Sequence, residues 1–183
     1  MLFAPVQHID TIDRATLNRL LVAWGHRMGP YTRPSYAIEA HYAMFERGEP
    51  VAVAVAGDTV REVVGQTGIR RDQCVELVRL CAVRPGLCRP MLRLWREMLF
   101  PALAAVHGRA LAVSYQDEAL HTGDVYRFDG WLLVGRGGGG GTDARTGRSG
   151  RRMKIWAWPP EAARDALASA AQLPAEQSAR QET

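Results

Sequence analysis

Hydrophobic positions first recur at helical spacing. In "DRATLNRLLVAW", residues 13–24, Leu17, Leu20, Leu21 and Trp24 fall on one stripe, with Asp13 where an N-cap belongs and Gly25 as the stop. A loop with two glycines and two prolines follows, "GHRMGPYTRP", carrying His26, Tyr31 and Arg33. Period two then takes over. From Tyr36 the alternation puts Tyr36, Ile38, Ala40, Tyr42 and Met44 on one face of a strand, and Ala37, Glu39, His41, Ala43 and Phe45 on the other. "ERGEP" turns the chain, and Val51 to Ala56 return as the second strand of a hairpin. His41 shares a face with Glu39 and reads as a satisfied structural histidine. Residues 57–73 are mixed and polar, and no element is assigned there.

Cys74 to Val83 is apolar on both faces except at Glu76 and Arg79, as in a central strand covered on both sides. In a regular strand Glu76 and Arg79 point to opposite faces, so Arg79 needs a partner elsewhere: a neighbouring carboxylate or an active cleft. "VRPGLCRP" turns into a helix of about 18 residues, Pro90 to His107, with Pro90 in the first turn where its missing N–H costs nothing, and Pro101 as a kink or break. Strand, turn and helix N-terminus together form a place where backbone N–H groups can hold an anion.

"RALAVSY" is a strand ended by Gln116 and Asp117. A helical turn is expected near Asp124 to Phe128, a strand from Trp131 to Val134, and a final strand in "RRMKIWAWP" with Met153, Ile155 and Ala157 opposed to Lys154, Trp156 and Trp158. The glycine run 137–141 is a flexible loop by composition, residues 160–172 a loose helix, and "PAEQSARQET" a disordered tail. The alternation of helices and strands gives an α/β (α+β) layout on a mixed sheet, with one domain over residues 1–159 and the helix and tail over 160–183.

With 183 residues, 47% hydrophobic and 23% charged, the chain suits one ordinary globular domain. The cysteines Cys74, Cys81 and Cys88 are odd in number and have neither metal-ligand nor redox spacing, so reduced thiols and no metal site are expected. The N-terminus lacks a signal-peptide pattern, and no apolar run is long enough to span a membrane, which points to a soluble, cytoplasmic protein. The net charge of +4 is unevenly spread. Arg136, Arg145, Arg148, Arg151, Arg152 and Lys154 stand against the single acid Asp143, a basic cluster that suits either a polyanion partner or a solvated loop.

Three stretches carry a family resemblance over roughly residues 24–134. "ELVRLCAV" (76–83), "VSYQD" (113–117) and "HTGDVYRFDGW" (121–131) resemble, in order and spacing, elements of the GNAT-type acyltransferases, and among them the phage Mom group of DNA-modification proteins. The resemblance implies a mostly antiparallel GNAT sheet in which two parallel strands splay apart and the gap receives the pantetheine arm of acetyl-CoA or another acyl-CoA. It makes Tyr126 the acid that protonates a departing thiolate, with Asp117 accepting or orienting the amine proton and Ser114 bonding the pantetheine or the substrate. The turn residues Arg84, Gly86, Leu87, Cys88, Arg89 and Met91 would hold the pyrophosphate, although Pro85 and Pro90 remove two amides from a loop that is usually Gln/Arg-x-x-Gly-x-Gly/Ala. His26, Tyr31, Arg33, Arg79 and His121 are candidates for the substrate pocket, and Arg148, Arg151 and Arg152 for phosphate contacts. The leading expectation is a Mom-like transferase acting on an adenine exocyclic amine in double-stranded DNA within a host cytoplasm. The alternatives are an N-acyltransferase of a small amine or protein, and a GNAT-shaped binding protein without catalysis.

Overall fold

A computed structural model describes residues 8–34, 36–138 and 150–172. Arg145, Arg148, most of the glycine run and the C-terminal tail lie outside these residues. The described chain folds into a seven-stranded sheet in the order β1-β2-β3-β4-β5-β7-β6, antiparallel at every pairing except β4 with β5. The strands are β1 His8–Thr11, β2 Glu39–Glu46, β3 Glu49–Gly57, β4 Cys74–Ala82, β5 Leu111–Asp117, β6 Leu132–Gly137 and β7 Met153–Trp158.

Helix α1 spans Arg14–Ala23 and begins at Asp13, whose carboxylate accepts the Thr16 N–H. Its buried Leu17 and Leu21 pack with Tyr31, Ala43, Val53, Val55 and Cys81 on one face of the sheet. The opposite face is covered by α2 (Cys88–Leu94) and α3 (Phe100–His107), which a π-turn at Trp95–Leu99 joins into one helical rod. In that turn the Phe100 N–H bonds the Trp95 carbonyl, and Pro101, which has no N–H to give, follows directly. Proline at this position therefore re-registers the rod without ending it.

The alternation along β2 and β7 holds. Ile38, Ala40, Tyr42, Met44, Trp156 and Trp158 share the core under α2, while Ile155 and Ala157 face a second core on the other side. The segment 160–172 is docked, not loose: α5 (Pro160–Ala171) seats the fully buried Ala163 in that second core. Gly57 ends β3, and residues 58–73 hold a single bridge, Val63 to Arg70, and a 3₁₀ turn at Arg71–Gln73. Among the described residues no helix is long and apolar enough to cross a membrane, and no group of His, Cys, Asp and Glu is placed to hold a metal ion.

Candidate active site

β4 and β5 are paired over only three rungs, Cys74 with Leu111, Val75 with Ala112 and Glu76 with Val113. Past them β4 continues to Ala82 along β3, and β5 to Asp117 along β7, so each strand stays held by its outer neighbour while the gap between them opens. β4 is also irregular. Val55 of β3 faces Arg79 and Ala56 faces Leu77, which leaves Val78 as an inserted bulge residue that bends the strand just after its last rung with β5. The bulge resets the alternation, so Glu76 and Arg79 do not take opposite faces as a regular strand requires. Leu77, Leu80 and Ala82 pack under α2, while Val78 and Cys81 pack on the α1 side.

Ser114 is the first β5 residue beyond the shared rungs. Its hydroxyl lies 3.0 Å from the Leu77 carbonyl across the fork and 2.9 Å from the phenol of Tyr126. A hydroxyl has one proton to donate; with that proton on the Leu77 carbonyl, the Tyr126 O–H donates to Ser114 Oγ. Tyr126 is buried, edge-on to Trp131 at 5.5 Å and stacked on Trp156 at 5.7 Å. Burial pushes its pKa up to about 12, against the opposing effect of the Ser114 hydrogen bond.

Tyr126 sits on the short helix α4 (Asp124–Arg127), which is fixed from two directions. Before it, Gly123 adopts φ +86°, and a Cβ there would lie 2.5 Å from Gln116 Oε1 and 2.8 Å from the Trp156 ring. Glycine is the residue this approach admits. After it, the fully buried carboxylate of Asp129 meets Arg96 Nη1 at 3.0 Å and Arg93 Nε at 3.3 Å, and Arg96 also covers the Trp158 ring at 4.4 Å. These contacts tie the segment carrying Tyr126 to the helical rod.

The fork opens into a cleft of about 710 Å³ that runs through the sheet. Cys88 and Tyr126 border it on the α2 side. The loop after α1 (Trp24 to Met28) and Arg79 border it on the other, and Asp117, His121 and Arg151 stand at its end. Thus Tyr126, Ser114, Asp117, Cys88, His26, Arg79, His121 and Arg151 come together from six separate segments. Asp117 Oδ1 accepts the Ala119 N–H at 3.0 Å, and its Oδ2 is 4.0 Å from Arg151 Nη1. His26 Nδ1 accepts the Met28 N–H at 3.3 Å, and burial, with Arg79 and His121 nearby, lowers its pKa and favours the neutral ring.

The turn into α2 is only partly as expected. The amides of Gly86, Leu87, Cys88 and Arg89 have no acceptor among the described residues and remain available. Met91 is corrected: its N–H bonds the Leu87 carbonyl at 3.1 Å and its side chain is fully buried in the core. Leu87 is likewise a core side chain that can offer only its amide. Arg84 pairs with Glu46 at 2.6 Å, and Arg89 lies over Phe128 while bonding its carbonyl at 3.2 Å, so neither guanidinium is free as placed. The Cys88 thiol is pushed up to about 11 by burial and stays neutral at pH 7.

Three substrate candidates are placed away from the cleft. Tyr31 is in the core beneath α1, edge-on to His41 at 5.7 Å, because its backbone N–H is taken by Asn18 and its ring by the apolar cluster. Arg33 is held by Glu76 at 3.0 Å in a buried ion pair. Arg152 is exposed and contributes its carbonyl to Glu118 N–H. Arg148 lies outside the described residues. Sequence reasoning missed Trp24, Cys81, Tyr115 and Leu120, which line the cleft without any local motif, while Arg27, expected as a phosphate contact beside Arg33, does line it.

No family model matches the chain, and no curated protein matches it in sequence. Solved structures do match in shape. The spermidine/spermine N-acetyltransferase of Vibrio cholerae superposes with a TM-score of 0.57 at 10% identity, over 86% of this chain and 96% of that one. The ribosomal-protein-S18-alanine N-acetyltransferase of Escherichia coli gives 0.54 at 14% identity, over 83% and 92%. An acetyltransferase of Salmonella typhimurium solved with acetyl-CoA gives 0.51 at 14% identity, over 82% and 91%. None of these is a DNA-modifying enzyme, and nothing in the comparisons points to the Mom group. With its forked β4–β5 pair and mixed seven-stranded sheet, the chain has the fold of the GNAT acetyltransferases.

Proposed function

We propose that this protein is an acyl-CoA-dependent N-acyltransferase whose acceptor is the amine of a small molecule or a protein. The observation that carries this reading is the phenol of Tyr126 at the mouth of a three-rung fork, hydrogen-bonded through Ser114 to the Leu77 carbonyl. The fold's neighbours include acetyltransferases of spermidine and of a ribosomal protein, and a further acetyltransferase solved with acetyl-CoA. This supports amine N-acylation over modification of a DNA base.

An acyl-CoA supplies an activated carbonyl and a thiolate leaving group, so that an amide C–N bond forms as the C–S bond breaks. The unpaired β4 and β5 edges offer backbone groups to the pantetheine amides, and the free amides of Gly86 to Arg89 offer donors to the pyrophosphate. With its pKa near 12, Tyr126 is fully protonated at neutral pH and has a proton to give to a thiolate. We assign to Asp117, a carboxylate lining the cleft, the role of taking the amine's proton.

Two measurements test the reading. Isothermal titration with acetyl-CoA should show binding, and release of free thiol in the presence of an amine panel should show turnover. In Tyr126→Phe, binding should persist while turnover falls by about a hundredfold or more. Absence of acetyl-CoA binding would overturn the assignment in favour of a non-catalytic GNAT-shaped protein.

A further inference from the structure

Arg79 lines the cleft without an ion pair, its guanidinium 5.9 Å from the Tyr31 ring. Its Nη1 donates 2.9 Å to the carbonyl of its own neighbour Val78, its Nε is buried without a partner, and no carboxylate among the described residues lies within ion-pair distance. The nearby Glu76 is already taken by Arg33. A half-buried guanidinium whose nearby acid, Glu76, is shared with another arginine is costly to keep, and a bound anion would offset that cost. Around it the cleft adds Arg27 and Arg151, against the two carboxylates Asp117 and Asp124. Both acids have basic companions already, Asp117 with Arg151 at 4.0 Å and Asp124 with Arg127 at 2.8 Å. This end of the cleft is therefore cationic, and it lies on the α1 side of the sheet, away from Tyr126 and Cys88.

We infer that Arg79, assisted by Arg151, forms an anion subsite, and that the acceptor is a small amine carrying its own carboxylate or phosphate. The inference rests on the amine-acceptor reading above and narrows it. A guanidinium binds either anion through its N–H donors, and Arg79 borders the cleft with Arg151 although its Nε is buried. A polycation such as spermidine would be repelled by the same residues.

The test is equilibrium binding to the full chain. Common amino acids are titrated against their C-terminal amides, O-phosphoethanolamine against ethanolamine, and spermidine is included. At least one anion should bind about tenfold more tightly than its neutral counterpart, a preference that falls below about threefold in Arg79→Met and weakens in Arg151→Met. The carboxylate and phosphate arms show which anion is recognised. Arg79→Met should keep the wild-type melting temperature, since it removes a half-buried charge that has no ion pair, and Arg79→Lys should keep part of the preference. Arg151→Met, at an exposed position, gives a second reading that does not depend on the buried site. The inference is overturned if no pair discriminates, if spermidine binds best, if the preference survives both Met variants, or if only duplex DNA binds in an Arg79-dependent way. Acetyl-CoA is titrated in parallel; its failure to bind would sink the acyltransferase reading while leaving the anion preference readable on its own.

Discussion

The hydroxyls of Ser114 and Tyr126 lie 2.9 Å apart although they come from different elements, one from a strand and one from a single helical turn twelve residues later. Ser114 also spans the fork to Leu77 at 3.0 Å, so a single side chain links both splayed strands to the phenol. Ser114→Ala should therefore do two things. It should lower stability by about 1–3 kcal/mol, because a buried carbonyl and a buried phenol lose their partner. It should also lower turnover by less than Tyr126→Phe does, since the phenol's proton remains. Denaturant unfolding and steady-state kinetics on the two variants check both halves, and equal kinetic losses would contradict the assigned roles.

The raised pKa of Tyr126 fixes the expected pH profile. The acid must be protonated to act, and its proton is retained up to about pH 12. The rate should rise with pH as the acceptor amine loses its proton, and should show no alkaline decline attributable to this phenol below about pH 10. Initial rates of thiol release across that range are the measurement. A descending limb near pH 8 or 9 in the wild type would assign the acid to another group.

Gly123 holds the approach to α4 by having no side chain. In Gly123→Ala the added carbon meets Gln116 and the Trp156 ring at 2.5 and 2.8 Å, on a backbone with φ +86°. Either α4 moves or the Gln116–Trp156 hydrogen bond, 3.0 Å long, is broken. A fall in melting temperature of several degrees is expected, with a fall in turnover larger than that from an exposed control such as Gly108→Ala, where a Cβ meets nothing within 4 Å.

Burial raises the pKa of Glu76 above its ordinary 4.5, and Arg33, although ion-paired with it, offsets this only in part. A carboxyl whose pKa is higher in the folded state favours folding while protonated. That contribution is complete below the unfolded value and is lost as pH rises through the folded one. Glu76→Gln, which cannot ionise, should gain stability relative to the wild type as pH increases from 4.5 upward. Melting temperatures of the two proteins at a series of pH values give the answer; a difference that stays flat or shrinks would show that Arg33 compensates the burial fully.

Much of this architecture was legible in the chain because period and punctuation agree locally. Asp13 caps α1, β2 and β7 alternate as written, and Gly108 ends the helical rod in the left-handed conformation that favours glycine. What escaped was non-local. Strand β1 is four residues long, with three of them exposed, and gains its identity only by pairing with β2. The Val78 bulge is a property of the β3–β4 register, not of any residue type, yet it decides that Arg79 need not oppose Glu76. Tyr31 and Arg33 read as loop residues beside a pocket, whereas tertiary packing and the ion pair with Glu76 draw them inward. Of the expected site residues, Ser114, Asp117, Tyr126 and His26 do line one cleft, whereas Trp24, Cys81, Tyr115 and Leu120 join it only through tertiary packing.

The brevity of the β4–β5 pairing also has a mechanical meaning. Four strands lie to one side of those three rungs and three to the other, so the molecule is two half-sheets stitched by its narrowest seam. Any relative tilt of the halves pivots about Cys74 to Glu76 and is amplified where Ala82 and Asp117 face open space, widening or narrowing the slot by leverage alone. Amide protons at the stitch should exchange with solvent most slowly, and those on the facing edges beyond it far sooner, so the hinge line can be traced residue by residue.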